Sequence, residues 1–572
     1  MSRLLFKKFV ISGNTSSKID QARLRIFTLG ILFVLGFVIV SIRLMDLTLI
    51  GAAQSEEETS SIQARNHHEI RSNILDRNGA ILATSLKTSS LFADPRMIDD
   101  PVTIANELVG ILPHLKYGDV LQKLQRNGQF IWLQRNLTPK QAYRVNSLGH
   151  PGLQFKEETR RVYPKGALTA HIVGFTDVDN NGLSGIEKSF DGLLNNGKSD
   201  LSLTIDIRLQ HIVKREISRI ISEFEAKGGS GLVLDIETGE VLSMVSLPDF
   251  NPHFPANITD SAKFNQTTLG VYEMGSTFKI FSTAGALDLG AVQVNDSFDT
   301  RKALKIGRHR INDFHAQRRI MTLPEVFVHS SNIGTALMAQ ELGGGKLRDF
   351  YRDLGLLNKA SIELPEIGAP ITPPNWGEIY AATASYGHGI AVSPLQVSQA
   401  VATILNDGYQ VTPTLIRQNS PNHNQGKNKA KLSIISPQTS ATMRELMELV
   451  IIKGTGSKAF VDGYRIGGKT GTAEKVMPRG YDKKALLSSF VSAFPINDPK
   501  YLILVIIDEP VGQKQSWGYA TAGWTAAPAV GRIIKQMTRL FDLPPNHANT
   551  KAIQNSLSPY IRDKKDKHLA SF

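Results

Sequence analysis

Residues 26–42 form an uninterrupted run of 17 apolar or small side chains, bounded by Arg25 and Arg43. As a helix the run reaches roughly 25 Å, and Leu44, Met45 and the snorkelling arginines extend it toward the thickness of a hydrocarbon core. Residues 1–25 carry a net charge of +5, while Asp46, Glu56, Glu57 and Glu58 follow the run. The positive-inside rule then predicts a cytoplasmic tail (1–25), a transmembrane helix (26–45) and an extracytoplasmic body after Met45. The alternatives are a buried helix and a cleaved signal peptide. A signal peptide has a shorter apolar core, although Gly51-Ala52-Ala53 would serve as its cleavage site. No second run of this kind follows.

The anchor also explains part of the charge. A net charge of +13 over 572 residues would suit a nucleic-acid partner. Five of those charges precede the anchor and three lie in residues 546–572, so the long body between carries only +5. That distribution excludes a basic binding face and predicts no nucleic-acid partner. Cysteine is absent, which excludes disulfides, thiolate zinc sites and thiol catalysis. The length exceeds what one core supports and predicts more than one domain.

The texture of the body changes along its length. Residues 46–215 mix short strand-like pieces with turns, at Asp76-Arg77-Asn78-Gly79 and Tyr163-Pro164-Lys165-Gly166. No acid, base or metal cluster stands out there. Residues 231–235 and 240–245 flank Ile236-Glu237-Thr238-Gly239 and predict a hairpin. Residues 278–287 predict an apolar helix. Ser436-Pro437 predicts the capped start of another, with Met443, Leu446, Met447 and Val450 on one face. Residues 501–507 read as a buried strand. The expected fold is α+β, with an antiparallel sheet covered by helices in residues 216–545. Residues 419–431 read as an exposed loop and 546–572 as a disordered tail.

Three short motifs carry possible chemistry. Ser276-Thr277-Phe278-Lys279 opens a helix, so a hydroxyl and an amine share one face. A desolvated lysine there can take the serine proton, and the helix N-terminus favours developing negative charge. The bland reading is an N-cap serine and a solvated lysine. Ser330-Ser331-Asn332 offers a hydroxyl and a carboxamide, or simply a cap for the helix 333–342. Lys469-Thr470-Gly471-Thr472-Ala473 offers a cation and two hydroxyls suited to a carboxylate, with Gly471 permitting a ligand to approach a strand edge, or is a mere bend. Residues 463–470 also satisfy the P-loop pattern. Gly471, Pro478 and Gly480 forbid the long helix that a P-loop requires. Each motif alone is weak; S-x-x-K, S-x-N and K-T-G in this order, within one α/β stretch, are together specific.

With these motifs the chain resembles the class B, monofunctional penicillin-binding proteins, and the likeness runs over nearly its whole length. Arg71-Ser72-Asn73-Ile74-Leu75-Asp76-Arg77-Asn78-Gly79 resembles the family's first N-terminal motif, with Ser72 where glycine is usual. Arg161-Val162-Tyr163-Pro164-Lys165-Gly166 and Gly185-Ile186-Glu187-Lys188-Ser189-Phe190 are similar to later ones. Ser385-Tyr386-Gly387-His388-Gly389, Val392-Ser393-Pro394-Leu395-Gln396 and Gly454-Thr455-Gly456 also match. Met274 stands where proline is common.

The resemblance implies an elongated pedestal (dimerisation) domain at 46–215 and a serine β-lactamase-like transpeptidase domain at 216–545. It implies a peptidoglycan D,D-transpeptidase, assigned with the D-Ala-D-Ala carboxypeptidase class. Ser276 would attack the penultimate D-Ala carbonyl of a stem peptide. Lys279 would be its base, Ser330 the proton relay to the departing D-Ala and Asn332 an orienting group. Lys469 would support the proton network, and Thr470, Gly471 and Thr472 would bind the terminal carboxylate. Backbone N–H groups of Ser276 and Thr472 would form an oxyanion hole. β-Lactams would acylate Ser276, and no metal or cofactor is implied. The expected place is a bacterial inner membrane, with the catalytic domain in the periplasm. The expected partners are a membrane-embedded glycan polymerase and division proteins. Asn332 favours the division type over the elongation type. A β-lactamase, a β-lactam sensor and a non-catalytic scaffold are the remaining alternatives. His171, His253 and His388 show no ligand spacing and read as structural.

Overall fold

The computed structural model describes residues 18–45, 70–417, 432–477, 480–545 and 556–562. Helix α1, Lys18–Met45, is the described part of the first of two units, Met1–Glu69. Its segment Phe27–Met45 is long and apolar enough to cross a membrane.

The second unit begins at Ile70. Strand β1 (Ile74–Leu75) pairs with β2 (Ile81–Ala93), β2 pairs with both β3 (Ile131–Leu137) and β4 (Leu153–Val162), and β5 (Leu201–Ser202) runs parallel to β1. The turn expected after Leu75 is held by Asp76, whose Oδ1 accepts from the N–H groups of Asn78 at 2.8 Å and Ala80 at 2.7 Å. Beside this sheet lies a buried ion cluster. Glu187 receives Arg71 Nε on Oε2 and Arg161 Nε on Oε1, both at 2.7 Å. Arg71 Nη1 also reaches Asp191 at 2.8 Å and Asn195 at 2.7 Å. Two guanidiniums on one fully buried carboxylate tie residues 71, 161 and 187 into a single knot.

Helix α2 (Ile207–Glu223) starts at the N-cap Asp206, which accepts from Arg208 N. Leu209, Val213, Ile217 and Ile220 lie on its buried face, against strands β6 (Gly228–Asp235) and β7 (Val241–Leu247). The expected division after residue 215 therefore falls inside this helix. Its i, i+4 apolar repeat belongs to the sheet of the second domain, and the change of partner comes at Asp206.

The expected hairpin is β6–β7, and it joins a five-stranded antiparallel sheet. Helix α3 (Lys279–Asp288) and helix α4 (Asn332–Leu342) share the core on one face, where helix α5 (Pro437–Lys453) and the helix Pro394–Leu405 meet the strands. Ser436 Oγ caps α5 by accepting from Thr439 N. Strands β8 (Gly467–Met477), β9 (Gly480–Phe494) and β10 (Tyr501–Asp508) complete the order β8-β9-β10-β6-β7. Helix α6 (Ala526–Leu540) packs with α2 on the other face. Strand alternation makes β10 apolar throughout: Leu502, Leu504 and Ile506 face one core, while Ile503, Val505 and Ile507 face the other.

Residues 463–470 lead into β8 rather than into a helix, so the P-loop pattern is a coincidence of sequence. The expected loop 419–431 lies outside the described residues. The tail 546–572, expected to be disordered, lies outside the described residues except for 556–562, which are ordered. There Leu557 and Ile561, an i, i+4 pair, are buried against the catalytic body. Tyr560 O accepts from Thr322 Oγ1 at 2.8 Å, and Arg562 N donates to Glu325 Oε1 at 3.0 Å. The polar composition of the tail hides that apolar pair.

Candidate active site

The segment before α3 is a tight 3-10 turn, Gly275–Phe278, which carries Ser276 half-buried at its start. Its helical continuation buries every side chain from Lys279 to Ala286. The turn sits hard against the edge strand β8. A Cβ on Gly275, whose φ is +52°, would meet Thr472 O at 2.7 Å. A Cβ on Gly471 would lie 2.3 Å from Thr277 Oγ1 and 2.5 Å from Met274 O. Gly471 thus admits the chain's own serine turn. Thr277 Oγ1 and Ser489 Oγ, 3.2 Å apart, add a hydrogen bond between turn and sheet.

Both motif lysines are fully buried and converge on one hydroxyl. Ser330 Oγ accepts from Lys469 Nζ at 2.9 Å and from Lys279 Nζ at 3.1 Å. Lys279 Nζ also donates to Ser330 O at 2.5 Å and Asn332 Oδ1 at 2.7 Å. Two ammonium groups cannot share this dry site comfortably. Burial, followed by the charge of Lys469, holds the Lys279 amine well below the usual lysine range. Burial alone lowers Lys469 to about 7. Lowering of this kind favours the neutral amine, and a neutral amine can accept a proton.

The second motif divides its duties by residue. Ser331 is the N-cap of α4: its Oγ accepts from Gly334 N at 3.0 Å. Ser330 and Asn332, on either side, meet Lys279 instead. The capping reading thus holds for Ser331, while Ser330 and Asn332 are left to the lysine. Ser330 adopts φ +59°, a left-handed conformation rare for serine and characteristic of strained functional turns.

On β8, Thr470 Oγ1 and Thr455 Oγ1 are 2.6 Å apart, and Thr472 Oγ1 accepts from Ala522 N at 3.3 Å. Four predicted residues (Lys279, Ser330, Asn332 and Lys469) are therefore joined by direct hydrogen bonds. Ser276 stands one turn before Lys279, and Thr472 lies beside that turn. A second layer escaped the motifs. Glu273 accepts from Gly389 N at 2.9 Å and from Tyr481 OH at 3.1 Å, and burial pushes its carboxyl upward. The ring of His388 lies 5.8 Å from that of Tyr481. Asn312 O accepts from Asn332 Nδ2 at 3.1 Å, and Asp313 holds Ser331. No sequence spacing links these residues to the motifs; only Gly389, His388 and Thr455 fell in stretches already singled out. His171 and His253 make structural hydrogen bonds between distant segments, to Ala262 O at 2.8 Å and from Tyr163 N at 3.0 Å.

Residues 229–535 match the family model described as "Penicillin binding protein transpeptidase domain", and residues 68–210 match "Penicillin-binding Protein dimerisation domain". The chain is 36% identical over 535 residues to "Probable peptidoglycan D,D-transpeptidase FtsI" of Caulobacter vibrioides, covering 91% of this chain and 88% of that one. It is 30% identical over 555 residues to the peptidoglycan D,D-transpeptidase FtsI of Escherichia coli, covering 91% and 92%. Among solved structures it resembles penicillin-binding protein 3 of Mycobacterium tuberculosis complexed with aztreonam. That likeness has a TM-score of 0.66 at 24% identity and covers 83% of this chain and 97% of that one. A peptidoglycan synthetase of Bifidobacterium adolescentis gives the same TM-score at 22% identity, covering 84% and 96%. The two matched domains stand in the order that the motifs imply, and the S-x-x-K, S-x-N and K-T-G residues fall within the first match: the chain belongs to the FtsI-type, class B penicillin-binding proteins.

Proposed function

We propose that the chain is a peptidoglycan D,D-transpeptidase of the division septum that works through an acyl-serine intermediate. The observation that carries this reading is the meeting of two buried, pKa-lowered lysines at Ser330 Oγ, beside the turn that presents Ser276.

Ser276 Oγ attacks the penultimate D-Ala carbonyl of a stem peptide, giving its proton to neutral Lys279. Lys279 already touches Ser330, so the proton can pass along Ser330 Oγ to the departing D-Ala amine. Lys469, in contact with the same hydroxyl, supports that relay. N–H groups of Ser276 and Thr472 hold the oxyanion, and Thr470 and Thr472 the substrate carboxylate. Asn332 orients the acyl chain. The amine of a second stem then displaces Ser276 and completes the cross-link. β-Lactams acylate the same serine, and D-Ala-D-Ala carboxypeptidase is the corresponding reaction class with water as acceptor. The curated relatives named FtsI support the division role.

The same reading places residues 26–45 of α1 once across the bacterial inner membrane, with residues 1–25 in the cytoplasm and the catalytic domain in the periplasm. Residues 46–205 serve as pedestal and meet a glycan polymerase and other division proteins. Pentapeptide-bearing peptidoglycan incubated with the full chain is expected to give cross-linked stems and one D-Ala per cross-link. Ser276→Ala is expected to give neither. Cross-linking by the variant at the parent rate would refute the assignment, and round cells rather than filaments on depletion would refute the septal role.

A further inference from the structure

The left-handed turn at Ser330 needs something to hold it, because a non-glycine residue is strained there. Its neighbours show the hold. Ser331 Oγ donates to Asp313, 3.0 Å from Oδ1 and 2.8 Å from Oδ2, and Ile333 N donates to Oδ1 at 2.9 Å. One residue earlier, Asn312 O accepts from Asn332 Nδ2 at 3.1 Å. A two-residue piece of loop therefore grips the middle residue of the S-x-N motif, the carboxamide beside it and the first turn of α4. The outer residues, Ser330 and Asn332, are then left facing Lys279. Releasing the grip on Ser331 frees the segment to rotate about its own axis, which carries both outer groups off the lysine.

Asp313 also brings charge. The charged and titratable groups that act on Lys279 or feel its charge are Lys469 from β8, His388 from the turn after residue 385, and Asp313 from the loop before α4. Among the described residues Asp313 is the carboxylate in that set. It favours the protonated amine, against burial and against Lys469.

We propose that Asp313 is a positioning residue of the active site: it locks the strained Ser330 turn onto the two buried lysines and supplies the negative charge that offsets their repulsion. This rests on the acyl-serine reading above. The two parts separate by substitution. Asp313→Asn keeps an oxygen acceptor for Ile333 N and Ser331 but loses the charge. Lys279 then surrenders its proton more easily, so the acid limb of the acylation profile moves to lower pH. Asp313→Ala loses the grip as well, and a displaced relay lowers the plateau rate ~10-fold or more.

The experiment is the pH dependence of acylation by a fluorescent penicillin, measured on the full chain and both variants, with the labelled peptide identified by mass spectrometry. The expected result is label on Ser276 in every case, an acid limb displaced to lower pH in Asp313→Asn, and a depressed plateau in Asp313→Ala. An Asp313→Asn limb that coincides with the parent's, on chains labelled at Ser276, overturns this inference alone. A parent that takes no label at Ser276 overturns the acyl-serine reading and this inference with it.

Discussion

Ser330 and Lys469 make the site testable one residue at a time. Ser330 holds φ +59°, so Ser330→Gly removes the hydroxyl while relieving the backbone, and Ser330→Ala removes the hydroxyl and keeps the strain. Chemical denaturation is expected to find the Gly variant more stable than the Ala variant by about 1 kcal/mol. Both should lose acylation. Equal stabilities would mean the turn is not strained. Lys469 gives a pH signature. Its amine is lowered from 10.5 to about 7 by burial, so the unfolded chain binds more protons between those values. Stability therefore rises with pH across that window, by up to about 1.4 kcal/mol per unit, and the penalty is complete below 7. Lys469→Met is expected to remove that slope and to be the more stable chain near pH 7, with acylation abolished. A parent and variant that share one slope in paired denaturation series would contradict the lowered amine. The lysines and Ser330 were legible because each sits in a contiguous signature. Asp313, Glu273, Tyr481 and Thr455 were not legible as site residues: their roles come from folding, which sets Asp313 on Ser331 across 18 residues, Thr455 on Thr470 across 15 and Tyr481 on Glu273 across 208.

The elements show the same limit of local reading. Residues 231–235 and 240–245 announce a hairpin, and 501–507 a doubly buried strand, because turn chemistry and apolar runs are local signals. The partition of the apolar side chains of β10 between two cores depends on α2 and α6, whose positions no local pattern encodes. Gly471 gives room to the serine turn, a contact that its motif does not announce. Gly471→Ala is accordingly expected to push β8 away from residues 274–277 and lower acylation at least ~10-fold while binding of substrate weakens less, which acylation kinetics at varied β-lactam concentration would resolve. In the pedestal, Arg71, Arg161 and Glu187 stood in stretches similar to family motifs, but their joint burial was visible only in the fold. Glu187→Ala strands two buried guanidiniums and should cost about 3–5 kcal/mol in urea denaturation. A loss within 0.5 kcal/mol would show that solvent readily replaces the carboxylate.

For the whole molecule, the proposed topology puts the catalytic site on the side of the membrane away from the cytoplasm. Because the chain contains no cysteine, single introduced thiols report sides without background. Ser12→Cys should resist an impermeant maleimide on intact spheroplasts, and Lys302→Cys, exposed on the catalytic body, should react. The opposite pattern would invert the topology. The central claim is narrower than topology and concerns one oxygen atom. Its most direct measurement is the intact mass of the full chain after brief exposure to benzylpenicillin, followed by peptide mapping. The account predicts a single penicilloyl adduct on the peptide that carries Ser276, and none in Ser276→Ala. An adduct on another residue, or undiminished labelling of Ser276→Ala, would contradict it.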